Sequence, residues 1–174
     1  MKLRTLLLPF VLLQHCFAQT APSLEKTFKE NNFKIQYPET WELNTSKSMG
    51  TEIILFSPLE NTEDKFRENV NVLIQDLTGQ NIDLKKYKQI TDDQLVQMAT
   101  NPEVEESVVI KEDGREFYQV TYSMTHSNFR LKITSFCFIS NDKAYLATFS
   151  AEFHTYDEYQ QVGLEILNSF SIVQ

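Results

Sequence analysis

Beyond residue 18 the chain holds two histidines, His126 and His154, and one cysteine, Cys137. Neither histidine belongs to an HExxH phrase or a Cys/His cluster, the spacings that let ligands converge on a metal. His126 falls at an expected hairpin tip, and His154 precedes Thr155 at an expected helix start, where an imidazolium would meet the positive end of the helix dipole. Both read as surface or capping residues, with a metal or acid–base role as the alternative. Cys137 alternates with Leu131, Ile133 and Ile139, so it shares their face of a strand, and a thiol among aliphatics resists forming the thiolate a nucleophile needs.

The carboxylates gather in "ENTEDKFRE" (60–68) and "NPEVEE" (101–106). Hard cations take carboxylate oxygens, but neither stretch has the Asp-x-Asp-x-Asp-Gly loop of a specific calcium site. The plain reading is a solvated acidic loop at each. If binding occurs it belongs to the first, since loops held by rigid strands commonly carry recognition; Glu60, Glu63, Asp64 and Arg67 are its candidate partner-binding residues. Trp41, the single tryptophan, joins them as a possible interface anchor, although its setting favours a core-edge role. Only four glycines occur, at 50, 79, 114 and 163. That spacing excludes the clustered glycines of a phosphate-cradling loop, and no GxSxG elbow is present. No cofactor is expected.

The elements that must position these residues follow from period. Phe33, Ile35 and Tyr37 alternate with Lys34 and Gln36, Pro38 stops the run, and Trp41 and Leu43 alternate again. The pattern predicts a tight reversal between two short strands, with Trp41 filling the end of a core. Strands are expected in "TEIILFSPL" (51–59) and "ENVNVLIQDL" (68–77). After Gly79 the period changes: Asp83 caps a short helix with Leu84 and Tyr87, and "TDDQ" (91–94) reads as a capping box opening a second.

From Val104 four strands are expected, at 107–112, 115–125, 129–139 and 143–153, joined by Asp113-Gly114, His126-Ser127-Asn128 and Ser140-Asn141-Asp142 in a meander. Tyr145, Ala147, Phe149, Ala151 and Phe153 share one apolar face, which requires cover. "TYDE" (155–158) starts a helix bearing Tyr159, Val162 and Ile166, with Phe170 just beyond it, and that helix is the lid.

The leader "MKLRTLLLPFVLLQHCFAQT" has Lys2 and Arg4 before an apolar run from Leu6 to Leu13, too short to span a bilayer and sized for a signal peptide. Cleavage is expected after Ala18. The alternative is lipidation at Cys16, and only then would the protein meet a membrane. With the leader gone no intramolecular disulfide can form, so stability must come from a core. The formal charge of −8 includes Lys2 and Arg4, so the mature chain is more acidic still. That disfavours nucleic acid and anionic lipid as partners. The expected organisation is a signal peptide (1–18), a polar tether (19–31) and one domain (32–174).

The order of "FKIQYPETW", "ILFSPL", "FRENVNVLIQDL", "LKKY" and "AYLATFSAEFHTYDEYQQVGLEILNSFSI" resembles the PsbP/Mog1 superfamily, in particular its small exported bacterial, DcrB-like type. The resemblance implies an α/β (α+β) fold, an antiparallel β-sheet sandwiched between helices. It also implies roles in binding and assembly, without a shared catalytic motif. The expected function is an exported, periplasmic or secreted, non-catalytic accessory protein of the cell envelope that works through protein contacts. A carrier of a small molecule or metal ion, with Thr134, Ser135 and Thr148 at an apolar cavity, is the alternative; a hydrolase using His154 is a weaker one. In a eukaryotic secreted protein Asn44-Thr45-Ser46 would be a glycosylation sequon.

Overall fold

Period-two alternation of apolar residues builds two antiparallel sheets, seen in a computed structural model that describes residues 23–173. The leader, with Cys16 and Ala18, lies outside the described residues. The smaller sheet has strand order β1-β2-β10, from β1 (Lys26–Glu30), β2 (Phe33–Tyr37) and β10 (Ser171–Ile172). The larger has order β3-β4-β5-β9-β8-β7-β6. Its strands are β3 (Glu42–Asn44), β4 (Ile53–Phe56), β5 (Asn69–Asp76), β6 (Thr100–Glu112), β7 (Arg115–His126), β8 (Phe129–Ser140) and β9 (Lys143–Glu152). Strands β6 to β9 form the expected meander. Two helices, α1 (Leu84–Met98) and α2 (Tyr156–Asn168), pack against it. The fold class is the α+β sandwich that the family resemblance implied.

Alternation sorts the large sheet's side chains onto two faces. Phe117, Phe136, Phe138, Tyr145, Ala147 and Phe149 meet Tyr156, Ile166, Leu167 and Phe170, together with Phe33 and Ile35 of the small sheet, in the main core. Tyr118, Val120, Cys137 and Ala144 form a second, smaller core with Tyr87. Phe153, the last residue of the expected apolar face, is 48% exposed and lies under the Arg130 guanidinium.

Four expectations are corrected. The tether reading fails over Lys26–Glu30, which is β1, paired with β2 from Lys26↔Tyr37 to Glu30↔Phe33 and anchored by buried Phe28. Phe33–Tyr37 and Trp41–Leu43 do not form a hairpin, because β2 pairs within the small sheet while β3 pairs with β4. The Pro38 turn, closed by Trp41 N–H donating to the Pro38 carbonyl at 3.1 Å, therefore carries the chain from one sheet to the other. The helical pair is one continuous helix. Asp83 caps it by accepting from the Lys86 amide at 2.7 Å, and Asp92 lies inside it with its carboxylate turned to the sheet. Last, "NPEVEE" is not a loop: it opens the edge strand β6, where Glu103 pairs with Arg130 and Glu105 with Lys132.

Candidate functional site

The "ENTEDKFRE" segment connects β4 to β5 and is folded by its own side chains. Asn61 accepts from the Glu63 amide at 2.8 Å. Asp64 accepts from the amides of Phe66 and Glu60 at 3.0 and 3.2 Å, so both its carboxylate oxygens are engaged in shaping the loop. Short polar side chains capture nearby backbone N–H groups in this way and fix turns without regular structure. The Ser57 amide donates to the Glu68 carbonyl at 2.8 Å and closes the base.

Beneath the loop lies Glu68, 2% exposed. A buried carboxylate must be hydrogen-bonded to be tolerated, and two hydroxyls serve it: Thr155 donates to one oxygen at 2.7 Å and Ser57 to the other at 3.3 Å. This explains why Thr155, at the expected capping box, does not cap α2. Its backbone is already helical and its hydroxyl is spent on Glu68. The loop is thereby tied to the junction of β9 and α2.

Between loop and junction is a cleft of about 380 Å³, walled by Glu60, Glu63, Asp64 and Phe66 on one side and by Phe129, Glu152 and His154 on the other. Phe66 and Phe129 tilt together with centroids 5.4 Å apart. Glu60 accepts from the Tyr159 hydroxyl of α2 at 3.1 Å; burial and that bond both push the phenol upward in pKa. His154 is 75% exposed, and its Nε2 is 3.9 Å from Glu152, beyond hydrogen-bond range. The cleft thus offers carboxylates and aromatic faces, against one lysine, Lys65, and one histidine. Such a surface attracts cationic side chains, by charge and by the negative faces of its rings.

Of the residues expected from sequence, Glu60, Glu63 and Asp64 meet here and Arg67 does not. Arg67 points to the other side of the loop, where it donates to the Ser57 carbonyl at 2.6 Å and to Glu42 at 2.8 Å and lies over the Phe56 ring. Trp41 is 5% exposed and packed in the main core, so it is a corner and not an exposed anchor. Thr134 faces α2, bonded to Thr121 and Tyr156, whereas Ser135 and Thr148 face α1 and bond each other. Burial pushes the Cys137 thiol up to about 12, which makes it packing rather than a nucleophile. Among the described residues no group of three or more His, Cys, Asp or Glu side chains converges as a metal site. The sequence alone does not show that Phe66 meets Phe129 or that Glu68 meets Thr155, because those contacts join a loop, a strand end and a helix start far apart in the chain.

A family model described as PsbP matches residues 25–172. Among the solved structures that share the fold are three with the following likeness. Cyanobacterial PsbP (CyanoP) from Synechocystis sp. PCC 6803 is 16% identical, with TM-score 0.60 over 92% of this chain and 98% of that one. LpqN of Mycobacterium tuberculosis, involved in cell envelope biogenesis, is 14% identical, with TM-score 0.65 over 82% and 83%. Protein PA94 of Pseudomonas aeruginosa, of unknown function, is 8% identical, with TM-score 0.59 over 83% and 94%. None of the curated proteins matches the chain. No helix of the described residues is long and apolar enough to cross a membrane.

Proposed function

The chain belongs to the PsbP family, and from that premise we propose that it is an exported, non-catalytic accessory protein of the cell envelope that binds a basic segment of another envelope protein in the cleft under residues 60–68. The observation that carries the reading is the pairing of carboxylates with the Phe66–Phe129 faces around a loop held rigid by Asn61, Asp64 and Glu68. Rigid loops bind with less ordering cost than mobile ones. A lysine or arginine lying across the ring pair would meet Glu60 and Glu63 in the same cleft. The signal-like leader and the structural likeness to LpqN support an envelope setting.

The test is site-specific photocrosslinking in the native envelope, with the photoreactive residue at Lys65 on the cleft wall or, for comparison, at exposed Lys111 of β6. A single protein crosslinked from position 65, absent from position 111, and reduced at least tenfold by E60Q/E63Q in a normally folded chain supports the reading. Equal crosslinking from both positions, or indifference to charge removal, sinks it.

A further inference from the structure

The two helices seat very differently. Tyr156, Gly163, Ile166 and Leu167 of α2 are buried, whereas on α1 Tyr87 alone is buried among the described side chains, and Leu95 is only half-covered. Beneath Thr91 and Leu95 lies a cavity of about 150 Å³, walled by Tyr118, Val120, Cys137 and Leu146 of the sheet. It adjoins an apolar cleft between Leu95, Ala99 and Met124, with which it shares Thr91 and Leu95. Protein interiors leave few voids larger than a water molecule. An apolar void of roughly 150 Å³ is one that takes up a single aromatic ring.

The cavity is not wholly apolar. On its floor the Ser135 and Thr148 hydroxyls, from adjacent strands β8 and β9, lie 2.7 Å apart. Two hydroxyls bring two protons and share one bond between them, so one proton is left to donate to a guest. The Tyr122 hydroxyl, on the wall, has no hydrogen-bond partner among the described residues. The other two tyrosine hydroxyls are committed: Tyr118 donates to Asp92 at 2.8 Å and Tyr87 to Gln75 at 2.7 Å. No charged side chain lines the cavity, so an ionic guest would lose its hydration without a counter-charge.

We propose that this cavity is a binding site for a small neutral phenol, its ring held between Leu95 and the sheet and its oxygen on the Ser135–Thr148 pair. The site is separate from the acidic cleft and does not depend on how that cleft is used.

Calorimetric titration of the full mature chain with phenol, and in parallel with benzene, tests it. Nuclear Overhauser contacts locate the ring against the Leu95 and Val120 methyls. Phenol is expected to bind saturably with those contacts. S135A/T148V is expected to weaken phenol about tenfold, the worth of one buried hydrogen bond, while leaving benzene unchanged. No saturable binding, contacts to other residues, or undiminished phenol affinity in that variant would each overturn the assignment. V120F, which fills the void, is expected to exclude both compounds. Should V120F not fold, L146F replaces it as the filling variant, and retention of phenol by either folded variant counts against the site.

Discussion

The Thr155 hydroxyl donates to the buried Glu68 carboxylate across 2.7 Å, joining the base of the acidic loop to the first turn of α2. Removing that donor leaves Ser57, at the longer distance of 3.3 Å, as the remaining hydroxyl on Glu68. T155V is therefore expected to lower stability by about 1–3 kcal/mol, the cost of an under-satisfied buried polar group. T155S is expected to retain most of it. Urea unfolding of the three proteins measures the difference, and an unchanged midpoint for T155V would show that Glu68 is served from elsewhere.

In a helix, Gly→Ala ordinarily stabilises by up to about 1 kcal/mol. At Gly163 the sign is expected to reverse, because a Cβ there would come within 2.6 Å of the Phe149 ring, itself fully buried. Overpacking of that kind costs about 1–3 kcal/mol. Thermal unfolding of G163A should show a lower midpoint, and the drop caused by G163A should be smaller in an F149L background than in wild type. A raised midpoint for G163A would mean that α2 can lift off the sheet at no cost.

Trp41 belongs to the main core. Its fluorescence should be blue-shifted in the native protein and move to the red on unfolding in urea. W41A is expected to cost about 3–5 kcal/mol, as for other large aromatic truncations. A native emission already at the solvent-exposed maximum would contradict the buried position.

Asp92 accepts hydrogen bonds from Lys88, Ser107 and Tyr118 and fastens α1 to β6 and β7. Partial burial raises its pKa, but those three bonds outweigh it and hold the carboxyl below the usual aspartate range. A depressed folded value contributes stability above the unfolded pKa and loses it as pH falls through the folded one. The group is a third exposed, so the effect is small. Stability followed from pH 7 toward pH 3 should fall less steeply in D92N than in wild type. Parallel slopes would remove Asp92 from the account.

Where neighbours in sequence are neighbours in space, the chain is readable from its residues alone. The meander from β6 to β9 is of this kind: each turn signal lies between two alternating runs, and α2 is announced by the apolar face it must cover. Strand β1 was hidden because Phe28 is its one buried residue and Lys26, Thr27, Lys29 and Glu30 look like a polar linker. The Pro38 turn is legible in the sequence, but a local turn carries no information on which sheet receives each arm. The break predicted inside α1 came from treating Asp92 as part of a capping box; its side chain instead satisfies partners on β6 and β7 that only the fold supplies. For the cleft, the acidic loop was visible and its aromatic wall was not, since Phe129 arrives from a strand end with no local sign of its partner Phe66.

The pairing of Ser171 with Lys34 and Ile172 with Phe33 joins opposite ends of the polypeptide. Phe170 stacks on the Phe33 ring at 5.5 Å from the same distant segment. Contacts so far apart in sequence impose a large closure entropy and form slowly. A ribosome that has made β2 must still release α1, the meander and α2 before the partner of Phe33 exists. Until then one edge of the small sheet is open and its side of the core lacks a wall. Vectorial synthesis therefore delivers the contacts that close the main core last, after the locally paired meander has already emerged.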